Sequence, residues 1–331
     1  MKLNSLLNQI GNTPLIKLKQ PSELTNCNIY GKAEFLNPGE SVKDRAALFI
    51  INDAINNKRI QKGGTIVEGT AGNTGIGLAV VCREMGFKLV IVIPKTQSIE
   101  KKETLKKLGA ELIEVEAVPY ANPNNYIKQS KKIAEDLEKK SKNGVIWANQ
   151  FDNTVNTEAH IKTTAEEIWT QTSGKIDAFI CSVGTGGTLA GVSIGLKNKN
   201  RNIKIGLSDP MGSSLFSYFK NKKLESSGNS ITEGIGTGRI TKNFERAIID
   251  YAFQVNDKEA LKIVFDLIKK QNLVLGGSSG VNIGGAIKLA QELGPGKNIV
   301  TILCDRGERY ASKIFNKSFL SSKNLPIPSW L

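Results

Sequence analysis

Histidine is almost absent from this chain, whose 331 residues include only His160. Catalysis that depends on a histidine pair, or a metal cage built from several imidazoles, is therefore nearly excluded. The four cysteines, Cys27, Cys82, Cys181 and Cys304, are far apart and form no Cys-x-x-Cys pair. This spacing argues against a structural zinc site and predicts reduced, buried thiols in a cytoplasmic protein. We expect no metal ion in this protein.

Long apolar runs are missing as well. The N-terminal segment lacks the continuous apolar core of a signal peptide, and no later stretch approaches the roughly 18 uncharged apolar residues that span a bilayer. Hydrophobic residues make up 40% of the chain and charged residues 23%, which is the composition of an ordinary globular protein. We therefore predict a cytoplasmic protein that binds no membrane and is long enough to form two lobes.

Positive charge is abundant, but no nucleic-acid-binding pattern accompanies it. Lysine and arginine number 45 against 31 acidic residues, which gives a formal net charge of +14. The basic residues are scattered and form no long block, and no helix-turn-helix, zinc-finger or RNP-type pattern is present. We expect no nucleic-acid partner. A positive field that attracts anionic small molecules is consistent with this composition.

Short apolar strands alternate with helical patterns along most of the chain. The predicted strands are Ile29–Phe35, Thr65–Glu68, Lys88–Pro94, Glu111–Val115, Val145–Ala148, Ile176–Ser182, Ile203–Ser208, Ala252–Val255 and Ile299–Cys304. The predicted helices include Asn73–Met85, Ile99–Leu108, Tyr126–Lys139, Asn156–Gln171 and Lys258–Lys270. This alternation predicts an α/β fold in which helices cover both faces of parallel sheet. The region Met211–Gly238 breaks the pattern and predicts a long surface excursion near a site.

Three glycine-rich turns lie where strands give way to helices, which is where open α/β sheets bind ligands. They are EGTAGNTGIG (Glu68–Gly77), SVGTGGTLAG (Ser182–Gly191) and LGGSSGVN (Leu275–Asn282). The second turn could cradle a phosphate, could be a dinucleotide turn with Asp209 as the ribose acid, or could be purely structural. It lacks the Gly-Lys-Ser/Thr of an ATP or GTP loop. The first turn could receive a carboxylate, and both the first and the third could simply cap a helix.

Lys43 decides between these interpretations. It lies in NPGESVKDRAA, at the start of a predicted helix. The amides of a helix start and partial burial favour the neutral amine over the ammonium ion. A neutral lysine is suited to Schiff-base chemistry with an aldehyde cofactor. A lysine, a phosphate cradle and a carboxylate cradle together predict pyridoxal 5'-phosphate holding an amino acid.

The sequence also resembles a known family. The cysteine synthases, or O-acetylserine sulfhydrylases, share a series of motifs, and this chain has them in the same order between about Gly11 and Tyr310: NPGESVKDR, GTAGNTGIGLA, NQFDNTVNTEAH, SVGTGGTLAG, TEGIGTGRI, GGSSG and GERY. These are pyridoxal-phosphate enzymes of the tryptophan-synthase-β-like fold, or fold type II. The resemblance implies two lobes with two mostly parallel sheets flanked by helices. Residues 45–150 would form a smaller mobile lobe with the substrate-carboxylate loop, residues 8–44 and 151–313 a larger lobe with the phosphate loop, and residues 314–331 a C-terminal tail.

The resemblance implies a role for each matching position. Lys43 would be the Schiff-base lysine and the catalytic base, Asn73 would hydrogen-bond the cofactor's phenolic oxygen, and Ser278 would meet its pyridine nitrogen. The positions that would wrap the phosphate are Gly184, Thr185, Gly186, Gly187 and Thr188. The positions that would bind the amino-acid substrate are Thr70, Ala71, Asn73, Thr74, Gln150 and Gly234.

The implied reaction is β-replacement, which makes L-cysteine from O-acetyl-L-serine and sulfide through an aminoacrylate intermediate. The alternatives are cystathionine β-synthase-type activity, serine/threonine dehydratase activity, or O-phosphoserine as the activated substrate; an NAD-dependent oxidoreductase would require the second glycine-rich turn to be a dinucleotide site. The family also leads us to expect a homodimer and makes serine acetyltransferase a candidate partner.

Four residues depart from the family pattern. Ala71 stands where a serine is more frequent, which leaves the handling of the leaving group or sulfur donor open. Arg239 replaces an aromatic residue and could lie at the surface or contact an anionic substrate. Asp305 and Arg306 stand where small residues are common, and they could form a structural ion pair or belong to the site.

Overall fold

A computed structural model of the chain describes residues 5–70 and 72–331. The strands of these residues are β1 (Leu15–Lys17), β2 (Asn28–Ala33), β3 (Thr65–Gly69), β4 (Lys88–Pro94), β5 (Glu111–Val115), β6 (Val145–Trp147), β7 (Ala178–Cys181), β8 (Lys204–Pro210), β9 (Tyr251–Val255) and β10 (Asn298–Leu303). The α-helices are α1 (Lys19–Thr25), α2 (Lys43–Asn56), α3 (Asn73–Met85), α4 (Ile99–Lys107), α5 (Tyr126–Glu138), α6 (Val155–Ala159), α7 (Glu166–Gln171), α8 (Gly187–Lys199), α9 (Leu215–Asn221), α10 (Lys242–Glu245), α11 (Asp257–Gln271), α12 (Gly277–Leu293) and α13 (Lys317–Ser322). A π-helix spans His160–Ala165, and 3-10 helices span Leu6–Gln9, Glu34–Leu36 and Gly307–Tyr310.

The strands form two sheets. One has six strands in the order β1-β2-β10-β7-β8-β9, and the other has four in the order β5-β4-β3-β6. Every pairing is parallel except that of β1, which runs antiparallel to β2 at the edge of the larger sheet. The predicted α/β class with two mostly parallel sheets flanked by helices is confirmed. The boundaries given above for the two lobes and the tail stay a prediction.

Burial on both faces explains why the central strands are apolar throughout. In β4, every residue after Lys88 is buried, as expected for a parallel strand covered by helices on both sides. In β7 the side chains alternate, so that Phe179 packs into the cluster with Leu189 of α8, and Ile180 packs into the opposite cluster with Leu289 of α12. The helices thus fix both faces of each sheet, and the ligand-binding turns are left at the strand ends.

Three features of the chain differ from the sequence-based expectation. Strand β1 was not predicted, because three residues at a sheet edge show too little alternation to be recognised. The predicted helix Asn156–Gln171 is a continuous helical run, but its middle turn at His160–Ala165 is a π-helix, a distortion that local periodicity does not reveal. The excursion Met211–Gly238 contains α9 and is otherwise irregular.

A buried ion-pair network anchors the start of α2. Arg45 donates two hydrogen bonds of 2.7 Å to the carboxylate of Glu34, and bonds of 2.6 and 2.8 Å to Glu167, whose carboxylate also accepts a 2.6 Å bond from Lys32. Burial would raise the pKa of Glu34, but the charge and hydrogen bonds of Arg45 outweigh it and hold that pKa at about 2. The network contains two cations and two carboxylates, so its buried charges balance.

The described residues contain no helix that is both long and apolar enough to cross a membrane, and no group of three or more side chains that could hold a metal ion. All four cysteines are free; Cys27, Cys82 and Cys181 are buried and Cys304 is partly buried.

We predict that Glu34→Gln lowers the free energy of unfolding by about 3–5 kcal/mol, because it leaves the buried Arg45 guanidinium without one of its two anionic partners. Urea unfolding of the purified protein measures this change. The control is Asp53→Asn, which breaks the solvent-exposed pair between Asp53 and Arg59 and should cost less than about 1 kcal/mol.

The sign of the pH dependence follows from the lowered pKa of Glu34. Its contribution to stability is present above the pKa of the unfolded chain, near 4.5, and is lost as the pH falls from there through about 2. Glu34→Gln should therefore flatten this acid limb. Equal losses of stability in Glu34→Gln and Asp53→Asn would contradict the role of the network.

Candidate active site

The turns that follow strands of both sheets open onto one cavity of about 690 Å³. Thr70, which directly follows β3, lines it from the smaller sheet, and Gly184, three residues after β7, lines it from the larger one. Ser278 of α12 and Lys43 of α2 complete the wall. Carboxyl ends of parallel strands are the usual binding edge of such sheets, so the cavity is the candidate site.

Lys43 is the first residue of α2, which has no side-chain N-cap. The residue is partly buried, and it lines both the main cavity and a smaller adjoining one that is also lined by Gly184, Thr185, Gly186 and Thr188. Its backbone N–H donates a 3.3 Å bond to the Ser41 hydroxyl. The amine therefore has access to a ligand whose phosphate would lie against that loop.

The loop Gly184–Gly187 before α8 has the shape and donors that a phosphate requires. No side chain caps the helix, and Gly186 has φ +92°, which favours glycine. A Cβ on Gly187 would lie 2.1 Å from Oδ1 of Asn156, and one on Gly184 would lie 2.3 Å from the carbonyl oxygen of Gly234. The backbone amides of such a turn and helix start bind anions. These residues fit the phosphate of pyridoxal phosphate.

Asn156 and His160 support the residues Gly184–Thr188 from behind. The amide of Asn156 donates 2.9 Å bonds to the Thr185 hydroxyl and to the carbonyl of Gln150. The imidazole of His160 lies between two hydroxyls, with Nε2 3.2 Å from Thr188 and Nδ1 2.9 Å from Thr164. Burial lowers the pKa of His160 to about 3, so the ring is neutral at physiological pH and acts as a hydrogen-bonding support rather than a charge.

The turn after β3 places hydroxyls and amides at the tip of α3. Gly72, with φ +127°, precedes α3, whose start has no side-chain cap. The N–H of Gly72 donates a 3.1 Å bond to the Thr70 hydroxyl. The Thr74 hydroxyl donates to Oε1 of Gln150, whose Nε2 donates a 3.1 Å bond to Glu68. Burial raises the pKa of Glu68 to about 8. Ala71 lies outside the described residues.

Asn73 begins α3 and lines the cavity. Its side-chain Nδ2 donates a 2.5 Å bond to Asp305, and its Oδ1 accepts a 2.8 Å bond from Arg309. Asp305 also accepts a 2.5 Å bond from the Tyr310 hydroxyl. Arg306 instead lies against Glu40, with Nε 3.3 Å from a carboxylate oxygen. Asp305 therefore accepts a hydrogen bond from Asn73, which is a predicted cofactor-binding residue, whereas Arg306 contacts Glu40.

Ser278 and Gly234 lie on the cavity wall on the side of the larger sheet. Ser278 is in the first turn of α12, 5% exposed, and it lines the cavity beside Cys304. Burial raises the pKa of the Cys304 thiol to about 11, so this cysteine stays neutral. Gly234 has φ +80° and its carbonyl lies against Gly184. Both residues line the same cavity as Lys43, and their binding roles stay a prediction.

Arg239 lies at the cavity wall and is already paired. Its guanidinium makes 3.2 Å contacts with Asp152 and lies 4.4 Å from the ring centre of Tyr120 and 5.2 Å from that of Phe151. The ionic partner and the two rings were not predicted from the sequence, because Asp152 and Arg239 are 87 residues apart. Arg239 is thus neither a free surface residue nor an unpaired anion receptor.

A buried ion pair joins the two sides of the cavity. Lys101 of α4, 1% exposed, lies 2.6 Å from Glu233, and its amine lies 4.4 Å from the ring centre of Tyr310. Lys313 contacts the other oxygen of Glu233. Sequence reasoning missed this group, since Lys101 is one of many lysines and α4 has a weak apolar pattern. Lys101 and Glu233 both line the cavity, and the Lys101 side chain packs against Gly72.

Comparison with known proteins gives consistent results. A family model described as pyridoxal-phosphate dependent enzyme matches residues 6–305. Cysteine synthase 1 of Emericella nidulans is 50% identical over 328 residues, which cover 98% of this chain and 87% of that protein.

Solved structures agree with the sequence matches. A hydrogen sulfide-producing enzyme from Fusobacterium nucleatum is 35% identical, with a TM-score of 0.83 over 93% of this chain and 99% of that one. An O-acetylserine dependent cystathionine beta-synthase from Helicobacter pylori is 34% identical, with a TM-score of 0.84 over 95% of this chain and 98% of that one.

We predict that Gly187→Ala weakens the binding of pyridoxal phosphate about tenfold or more, because the added methyl would displace Asn156 from under the phosphate loop. Titration of the apoprotein with pyridoxal phosphate, followed by absorbance, measures the affinity. Gly238→Ala is the control, since the atom nearest to its added methyl would be the hydroxyl oxygen of Ser214, 4.0 Å away. Equal affinities in the two variants would contradict the proposed cradle.

Proposed function

The chain belongs to the family of pyridoxal-phosphate-dependent enzymes, and we propose that it is a cysteine synthase that converts O-acetyl-L-serine and sulfide to L-cysteine and acetate. The observation that carries this proposal is the single cavity onto which the Lys43 amine, the phosphate cradle and the carboxylate loop all open. The 50% identity to a protein named cysteine synthase 1 supports the choice within the family.

The residues that would hold the cofactor are those of the phosphate loop, Gly184–Thr188, with Asn73 toward the phenolic oxygen, Ser278 toward the pyridine nitrogen and Lys43 toward the aldehyde. When bound, pyridoxal phosphate supplies an electron sink that makes the α-proton of an attached amino acid acidic. Ser278 presents a neutral hydroxyl, which, unlike a carboxylate, does not keep the pyridine nitrogen protonated. This arrangement favours β-replacement, in which the leaving group takes the electrons, over transamination.

Lys43 would act as the general base. Its Nζ takes the proton from Cα of the amino acid while acetate leaves from Cβ, and it returns that proton to Cα after sulfide has added at Cβ. One C–O bond is thus exchanged for one C–S bond, and no external oxidant or reductant is needed. The position of Lys43, which lines both the main cavity and the smaller one beside Gly184 and Thr185, supports this role.

The carboxylate of the substrate would bind at the tip of α3. The Thr70 hydroxyl and the backbone amides of the helix start are the donors, and Thr74, Gln150 and Gly234 line the same space. Ala71 is included in this set on the family resemblance alone. The buried Glu68 accepts a hydrogen bond from Gln150 and orients it, and Gln150 in turn accepts a hydrogen bond from the Thr74 hydroxyl. These hydrogen bonds hold the side chains before the substrate arrives, which lowers the cost of ordering them on binding.

The environment of Arg239 favours a substrate whose leaving group carries no charge while it is still attached to Cβ. A phosphate on the substrate would have to compete with Asp152 for the guanidinium, and the flanking rings of Tyr120 and Phe151 hold that guanidinium in place. The acetyl group of O-acetylserine requires no such displacement. We therefore expect this cavity to accept O-acetylserine better than O-phosphoserine.

Further parts of the proposal rest on the family resemblance. We propose a homodimer in the cytoplasm, a smaller lobe of residues 45–150 that closes on the substrate, and serine acetyltransferase as a candidate partner. Closure would exclude water from the reacting carbon atoms.

The experiment that tests the function compares purified protein on four substrate sets: O-acetylserine with sulfide, O-phosphoserine with sulfide, serine with homocysteine, and threonine alone. We expect the highest kcat/KM for O-acetylserine with sulfide. A preference for serine with homocysteine would assign cystathionine synthesis instead, and turnover of threonine alone would assign a dehydratase. Protein that takes up no pyridoxal phosphate would refute the whole proposal.

We predict that Lys43→Ala lowers kcat for cysteine formation by about 10²- to 10⁴-fold or more, because it removes the base that takes the α-proton. Borohydride should also no longer attach the cofactor to the protein, which mass spectrometry detects. Lys258→Ala, at an exposed lysine near the start of α11, is the control and should leave both readouts unchanged. Wild-type turnover by Lys43→Ala would exclude the proposed base.

We predict that Asp152→Asn raises kcat/KM for O-phosphoserine, relative to O-acetylserine, by about two- to fivefold, because it releases Arg239 from a partly exposed ion pair. Glu158→Gln breaks another ion pair, the more exposed one with Arg246, and serves as the control. An unchanged ratio in Asp152→Asn would show that Arg239 does not set the choice of leaving group.

A further inference from the structure

The amide of Asn73 is held at both ends by residues from the other end of the chain. Nδ2 donates to Oδ2 of Asp305 at 2.5 Å, and Oδ1 accepts from Nη1 of Arg309 at 2.8 Å. A carboxylate accepts hydrogen bonds and a guanidinium only donates them, so these two partners allow one orientation of the amide. An amide nitrogen carries two hydrogens, and Asp305 takes one of them. The other is available to a ligand in the cavity.

Asp305 is itself fixed by close packing. Its side chain is fully buried, and the same Oδ2 atom accepts a 2.5 Å bond from the hydroxyl of Tyr310. A Cβ on Gly276 would lie 2.2 Å from Oδ1 of Asp305 and 2.6 Å from the Tyr310 ring, so the glycine leaves only enough room for the carboxylate. The acceptor that faces Asn73 therefore has little freedom to move.

Arg309 connects Asn73 to the loop that leads to Lys43. While Nη1 donates to Asn73, Nη2 donates to the carbonyl of Gly39 and lies 3.5 Å from Glu40. The N–H of Gly39 donates to Asp44, which directly follows Lys43. The fork of a guanidinium can serve both acceptors at once, which a lysine amine in the same place would do less well. One side chain thus ties the amide of Asn73 to the segment that carries the reactive lysine.

We propose that Asp305 and Arg309 are positioning residues that aim the second N–H of Asn73 at the phenolic oxygen of bound pyridoxal phosphate. The inference rests on the proposed function, since it assumes that Asn73 meets the cofactor. It gives a role to Asp305, a departure from the family pattern noted in the sequence. Asn73 belongs to the helix that follows β3 of the smaller sheet, whereas Asp305 and Arg309 follow β10 of the larger sheet. The orientation of the amide therefore depends on how the two sheets are packed together.

The test measures the cofactor rather than turnover. Asn73→Ala, Asp305→Leu and Arg309→Met are each titrated with pyridoxal phosphate as apoproteins, and the visible absorbance of the bound cofactor is recorded against pH. We expect each variant to bind the cofactor about tenfold more weakly, as for the loss of one hydrogen bond, and to shift the absorbance maximum or its pH titration in the same direction. Urea unfolding of the apoproteins separates these changes from loss of stability.

Two further variants distinguish positioning from a purely structural role. Asp305→Asn keeps an acceptor oxygen for Asn73 and should restore the wild-type spectrum. Arg306→Gln removes the neighbouring residue that lies against Glu40 and should change neither spectrum nor affinity. In the double variants Asn73→Ala/Asp305→Leu and Asn73→Ala/Arg309→Met, the loss of affinity should not exceed that of Asn73→Ala alone, because the second residue acts only through the first.

The outcomes separate this inference from the function itself. If the wild-type protein takes up no pyridoxal phosphate, the proposed function fails and this inference fails with it. If wild type binds the cofactor and Asn73→Ala changes its spectrum, but Asp305→Leu and Arg309→Met do not, the positioning role is overturned while the function stands. Additive losses in the double variants would also overturn it. The two positions are tested independently, so a folding defect in one variant leaves the other decisive.

Discussion

The bidentate pairing of Arg45 with Glu34 and Glu167 is the interaction on which the geometry of the site depends. Arg45 lies two residues beyond Lys43 in the same helical turn, so its buried contacts fix the direction of α2 and the point where the Lys43 side chain emerges. Buried charges are costly unless each is paired and hydrogen-bonded, and here two carboxylates meet two cations. Moving the start of α2 would separate these buried charges from their partners, which is energetically costly. The helix start therefore has few alternative positions.

From this anchor the site is assembled by turns that leave no space for side chains. The loop before α8 can approach a phosphate because Gly184 and Gly187 allow contact with Gly234 and Asn156. The turn before α3 depends in the same way on Gly72, against which Lys101 packs. Because one turn follows the larger sheet and the other follows the smaller sheet, the cavity is a property of the packed pair of sheets rather than of one motif.

Much of this arrangement is readable from the sequence, and the part that is not has a physical reason. Strand β4 and helix α3 have the predicted bounds, because continuous burial and helical periodicity are local signals. Lys43 and the glycine-rich turns were found because turn chemistry is local too. The partners of Asn73 could not be predicted, because Asp305 is 232 residues away. It contacts Asn73 only because the two sheets pack together. The edge strand β1 and the π-helix leave too weak a local pattern to be predicted.

The placement of the only histidine has a consequence for how the protein responds to acidity. Because the His160 ring stays uncharged until about pH 3, the role that imidazole plays as a neutral-range proton buffer in many enzymes passes to other groups. Burial raises the pKa of Asp44, next to Lys43, to about 7 and that of Glu68, behind the turn before α3, to about 8. Carboxyl groups ordinarily change charge near pH 4, but the raised pKa values of Asp44 and Glu68 move this change to near-neutral pH.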